Sequence, residues 1–217
     1  MKTFIAVIVL ALIAFGAWFF LKGRQASEPA PITVTSGEEV VLEDGTYAVA
    51  SSSSIGWSGA RPLIPGYRDN GTVAIKAGNV VVSNGVITGG SFTIDMTTIA
   101  ALSTGKGGGE DMLSGHLKSA DFFDVGKFPT AVFAITGATA NGEITGNLTV
   151  KETTEQITFP AAISQEGNTV RAVASIELDR TVWNIRYGSG KFFENLGNNL
   201  IDDKFIITLD LAAEKTS

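Results

Sequence analysis

The sequence predicts an all-β domain built as an antiparallel barrel, with one short helix capping an end and one N-terminal transmembrane helix ahead of it. Three observations carry this reading. Apolar and polar residues alternate with period 2 in run after run of residues 40–217, as where Phe92, Ile94 and Met96 alternate with Ser91, Thr93 and Asp95. Turn dipeptides Asn70-Gly71, Asn84-Gly85, Asn141-Gly142 and Gly167-Asn168 punctuate those runs at hairpin spacing. A segment of helical spacing, through Met112, His116 or Leu117, Ala120, and Phe123 or Asp124, stands as an insertion between two runs of strands.

Residues 4–21 carry no charge and are followed by Lys22 and Arg24. The run is longer than the ~7 to 15 apolar residues of a cleaved signal peptide, so residues 1–24 are expected to be a retained signal anchor. Positive charges flank it on both sides, which leaves its orientation open. Residues 25–39, with Ser27, Pro29, Pro31, Ser36 and Gly37, read as a linker, and Ile32 to Val34 as an alternative short strand. The barrel is expected over 40–217. Its expected location is extracytoplasmic, in the periplasm or at the cell surface, held to a membrane by the N-terminal helix.

Strands are expected at 46–50, 54–60, 69–76, 79–83, 86–95, 130–138, 143–150, 156–164, 169–178 and 204–211. A sheet that large closes or folds over. Residues 101–109 read as a flexible loop, because Lys106-Gly107-Gly108-Gly109 lacks the Gly-Lys-Ser/Thr ending of a phosphate-binding loop. Lys127-Phe128-Pro129 is a breaker before the strand at 130.

Composition narrows the function. The chain has 217 residues, no cysteine and one histidine, which excludes thiolate chemistry and any His-rich metal or haem site within one chain. Its net charge of −6 becomes more negative still once Lys2, Lys22 and Arg24 are set aside with the N-terminal segment. That balance argues against nucleic acid and for a neutral ligand.

Three stretches, in order, resemble the YceI-like family over about residues 45–213. They are His116-Leu117-Lys118-Ser119-Ala120-Asp121-Phe122-Phe123-Asp124-Val125 with the following Lys127-Phe128-Pro129, then Gly146-Asn147-Leu148-Thr149-Val150, then Asp179-Arg180-Thr181-Val182-Trp183-Asn184-Ile185. The resemblance implies a lipocalin-like barrel that encloses an isoprenoid or similar amphipathic chain. Lys151-Glu152-Thr153-Thr154 departs from the family pattern, where a glycine turn is commoner.

The residues themselves offer a hydrocarbon and aromatic interior. Ile55, Trp57, Phe92, Ile94, Phe133, Ile135, Leu148, Phe159, Ala174, Ile176, Phe205 and Ile207 are the expected ligand-binding positions. Small residues at Gly146, Ala172 and Ala174 either leave room for a guest or fit the taper of a packed barrel, and spacing does not decide which. His116 has no second His or Cys to complete a catalytic or metal site, and reads as a structural hydrogen bonder at the mouth. Asp121 is expected to fix the turn into Phe122-Phe123. Arg180, Trp183 and Tyr187 join His116 as expected rim residues, there to meet a ligand headgroup or to close the barrel end.

The expectation is a carrier or stress-related protein that binds a lipophilic small molecule, isoprenoid or fatty-acyl, without catalysis, cofactor or metal. The rivals are a cavity-free adhesion or scaffold domain and a lipid hydrolase. Val132 and Ala134, apolar and outward-facing, are the pair a homodimer would use.

Overall fold

The computed structural model describes residues 41–216. The expected anchor at 1–24 and linker at 25–39 lie outside them. No helix among the described residues is long and apolar enough to cross a membrane.

The elements in order are β1 (Gly45–Val49), β2 (Ser54–Ala60), β3 (Arg68–Ser83), β4 (Val86–Ser103), α1 (Glu110–Lys118), β5 (Thr130–Ala138), β6 (Glu143–Val150), β7 (Thr153–Pro160), β8 (Ala162–Glu166), β9 (Thr169–Asp179) and β10 (Lys204–Lys215). All pairings are antiparallel, in the order β7-β6-β5-β4-β3-β1-β10-β9-β8. β2 also lies between β3 and β10.

Four of these strands stand in pairs, each pair filling one place in the wall. β1 pairs the Asn79–Val82 and Ala213–Lys215 ends of β3 and β10, while β2 pairs their other ends, so β1 and β2 share one place in the wall. Between them Ser53 stands in for backbone, its Oγ donating to Ala212 O at 2.9 Å and accepting from Ala212 N at 3.0 Å. β7 and β8 share another place: β7 pairs β6, β8 pairs β9, and Ala161 is the elbow between them. Pro160, which cannot donate to a ladder, ends the first half. Ala161 N then donates to Gly142 O at 2.8 Å. Gly142 has φ +85, and a Cβ there would run into the Ala161 carbonyl. Ten strands thus occupy eight places, the number whose interior either fills with side chains or holds one small ligand.

Several expected boundaries are corrected. Asn70-Gly71 is not a turn but lies within β3, a single strand through 68–83 that absorbs bulges near 70–77 and 81–82. β4 continues to Ser103, so the loop before the helix is shorter than expected. The expected strand 156–164 is broken at Ala161. The helix is Glu110–Lys118 and does not reach Asp124.

The two ends of the barrel differ. At one lie the tight turns at 84–85, 139–142 and 167–168. This end is sealed by Tyr47, fully buried, whose hydroxyl donates to Glu43 O at 2.7 Å, and by Leu42, Val82, Val170 and Ala213. The long connections 61–67, 104–129 and 180–203 gather at the other end. There α1 begins with Glu110 and Asp111 and ends with His116 and Lys118, in accord with the helix dipole. Ser114 Oγ accepts from Ala101 N at 2.9 Å and so fastens the helix to β4. The helix stops where Ser119 turns extended and its hydroxyl donates to His116 O at 2.8 Å. The barrel has its own core within residues 41–216, as an independently folding unit requires.

Candidate functional site

The pleat sends alternate residues of each strand inward. From β2 come Ile55 and Trp57, from β4 Phe92 and Ile94, from β5 Phe133 and Ile135, from β6 Leu148, from β7 Phe159, from β9 Ile176, and from β10 Phe205 and Ile207. All of these line one cavity of about 340 Å³. Its wall is apolar over most of its extent, with the Phe133 and Phe159 rings 5.8 Å apart.

The small residues divide. Ala172 lines the cavity. Ala174, on the same face and opposite Leu209, is buried in the packing of the wall and does not line it, a correction to the sequence expectation. Gly146 is filled from across the strand, since a Cβ there would stand 2.5 Å from Phe133 Cζ and 2.6 Å from Ala134 O. Val132 and Ala134 alternate with the lining residues Ala131, Phe133 and Ile135, which puts them on the outer face.

The capping helix, with His116 and Tyr187 at the mouth, was expected, but not the other side chains that close it. Leu113, His116 and Leu117 of α1, with Phe122 and Phe123, cover the open end, and Ile185, Tyr187 and Ile201 complete it from the β9–β10 connection. The spacing of Leu113 and Leu117 was the available signal. The His116 ring meets Phe122 edge-on at 4.9 Å and Tyr187 at 4.6 Å, and its Nε2 lies 3.2 Å from Asp121 Oδ2. His116 and Tyr187 therefore stand at the mouth, half in the wall. Asp121 N donates to Ser119 Oγ at 3.3 Å, within the turn into Phe122-Phe123.

Of the two readings of Arg180, headgroup contact or closure of the barrel end, its hydrogen bonds support closure. Arg180 is 5% exposed and reaches the cavity lining. Its Nε donates to Asp202 O at 3.0 Å, Nη1 to Ile185 O and Tyr187 O at 2.9 Å each, and Nη2 to Ile201 O at 3.2 Å and Asp203 Oδ1 at 3.3 Å. A guanidinium has five N–H donors, so none is left for a ligand. Burial pulls its pKa down, opposed by the carboxylates of Asp203, Asp179 and Asp202. Trp183 is likewise structural: buried, outside the cavity lining, its Nε1 donates to Leu148 O at 3.2 Å.

Asp179 anchors the start of the same connection. Burial pushes its carboxyl up, but hydrogen bonds from Lys191 Nζ at 2.5 Å and from Thr181 outweigh it and hold the pKa down at about 2. The remaining polar lining, Arg61, Asp69 and Asp202, also belongs to the mouth. Among the described residues no group of three or more His, Cys, Asp or Glu side chains is placed to hold a metal ion.

The barrel is similar to BcnA of Burkholderia cenocepacia, with a TM-score of 0.58 and 22% identity, over 76% of this chain and 99% of that one. It is also similar to a polyisoprenoid binding domain from Saccharophagus degradans, with a TM-score of 0.61 and 10% identity, over 80% of this chain and 100% of that one. By sequence, a UPF0312 protein of Pseudomonas paraeruginosa is 48% identical over 56 residues, and protein YceI of Salmonella arizonae 41% identical over the same length. Each of these stretches spans 24% of this chain and 29% of the relative. The model of the YceI-like domain matches residues 48–213, nearly the whole barrel, and the chain belongs to that family.

Proposed function

We propose that the barrel binds a lipophilic chain, isoprenoid or fatty-acyl, and works as an extracytoplasmic carrier or stress-related lipid-binding protein without chemical turnover. The observation that carries the proposal is the cavity of about 340 Å³ with an apolar wall and its polar groups confined to the mouth. Its size falls in the range of roughly 300 to 1,000 Å³ of small-molecule sites. Apolar burial contributes ~25 cal/mol per Å², so a long chain is held without directed contacts. Its polar end would rest at the mouth, near Arg61, Asp69, Asp202, His116 and Tyr187.

The shared fold of the polyisoprenoid binding domain from Saccharophagus degradans supports the ligand class. The uncharged run at 4–21 supports a membrane-held, extracytoplasmic location. Against the hydrolase stands the setting of His116, whose ring meets Asp121, Phe122 and Tyr187 with no hydroxyl among its hydrogen-bond partners in the described residues. Against the cavity-free scaffold stands the cavity.

Native mass spectrometry of the protein extracted in mild detergent tests the proposal. The expected spectrum shows an adduct whose mass, after solvent extraction, is that of a lipid. A protein that stays free of adduct and takes up neither a polyisoprenoid alcohol nor a fatty acid on incubation would overturn it.

A further inference from the structure

The large apolar side chains that the fold leaves exposed are distributed unevenly. Leu63 projects from the β2–β3 connection, Leu102 from the end of β4 and Met112 from α1. Val182, Tyr187, Phe192 and Phe193 project from the β9–β10 connection. All of these segments lie at the mouth end, and among the described residues Val41 alone stands elsewhere. The segments are tied into one rim. Arg61 Nη1 donates to Asn198 O at 3.1 Å, Gly105 N to Asp69 Oδ1 at 2.9 Å, and the His116 and Tyr187 rings join α1 to the β9–β10 connection.

Charge is divided along the same axis. The mouth segments balance acids against bases. Outside the connections at 61–67, 104–129 and 180–203 the described chain carries six bases, Arg68, Lys76, Lys151, Arg171, Lys204 and Lys215, against twelve carboxylates. A surface that disfavours the acidic walls and sealed end but accepts a charge-balanced rim with apolar tips is a lipid bilayer met mouth-first.

We infer that the mouth rim is a docking surface for a lipid bilayer, across which a guest passes between membrane and cavity without crossing water. The inference rests on the lipophile-binding reading, because the rim surrounds the opening that such a guest must use. Aromatic and aliphatic tips at Tyr187, Phe193 and Met112 enter the headgroup region, and the attraction is apolar burial with little coulombic contribution. Docking is therefore insensitive to salt and does not require anionic lipid.

Flotation of the fragment 41–217 with phosphatidylcholine vesicles tests this, with retention of a polyisoprenoid alcohol measured on the same samples. The fragment is expected to float, and to float equally at ionic strengths about tenfold apart. Met112→Glu with Phe193→Glu should lower the vesicle-bound fraction about tenfold or more, since both side chains are exposed and the fold does not depend on them. Val41→Glu, at the sealed end, should change nothing. A fragment that retains the alcohol but never floats overturns the docking surface and leaves the binding reading standing. A fragment that floats through Met112 and Phe193 but never retains the alcohol upholds the surface and overturns the binding reading. Rim substitutions that split a dimer in sedimentation without altering flotation overturn the bilayer in favour of a second copy.

Discussion

The indole of Trp57 lies across Gly71, its partner on β3, so closely that a Cβ on Gly71 would stand 2.5 Å from Trp57 Cε2 and overlap the Ala100 carbonyl. Gly71→Ala must therefore displace the indole or part β3 from β4. The expected loss is about 1 to 3 kcal/mol, as for overpacking elsewhere, with a shift in tryptophan fluorescence. Chemical denaturation followed by fluorescence measures both, and an unchanged midpoint would mean the indole does not lie there.

Arg180→Lys keeps a charge but cannot reach the same acceptors. The carbonyls of Ile185, Tyr187, Ile201 and Asp202 lose a shared donor, and Asp203 loses the guanidinium hydrogen bond while Lys191 stays 3.7 Å away. A loss of about 1 to 3 kcal/mol is expected, as when buried acceptors are left without their donor. Urea unfolding reads it. Equal stability with a fall in lipophile binding alone would return Arg180 to the headgroup site.

Ala172 and Ala174 separate a wall from a cavity. Ala172→Phe enters the space a guest would occupy, so lipophile affinity should fall about tenfold or more while the melting temperature of the empty protein holds or rises. Ala174→Phe, in the packed wall, should cost about 1 to 3 kcal/mol. Thermal unfolding and probe titration on both variants check the contrast, which a reversed order would refute.

The Asp179 carboxyl is held down at about 2, below its usual 3.8. A folded-state pKa that is depressed adds stability present above the unfolded value and lost as pH falls through the folded one. Acid unfolding should therefore steepen between about pH 4 and pH 2. Asp179→Asn should flatten that limb and lower stability near neutrality, as equilibrium unfolding across that range would show.

The inward faces were legible because the pleat imposes period 2, and Phe92, Ile94, Leu148, Ile176, Phe205 and Ile207 needed only to be counted along their strands. What escaped was set by neighbours. Asn70-Gly71 reads as a turn, yet here the glycine makes room for a tryptophan on another strand. Ala172 and Ala174 share a face, and only the side chains around them decide which meets the cavity. Four of the acceptors of Arg180 are backbone carbonyls, which carry no residue identity, so their convergence left no pattern to read. The lid was partly visible in Leu113 and Leu117, but its closure by Tyr187 joins segments far apart in the chain.

The elbow at Ala161 gives the barrel a seam. Between β6 and β9 the wall is held by one run of chain that pairs β6 in its first half and β9 in its second. Thermal agitation should part a cylinder of this kind along that line first. Amide protons flanking the elbow would then trade with solvent ahead of those in the long β3–β4 ladder, and the wall would breathe on one side only, as a hinged shutter does.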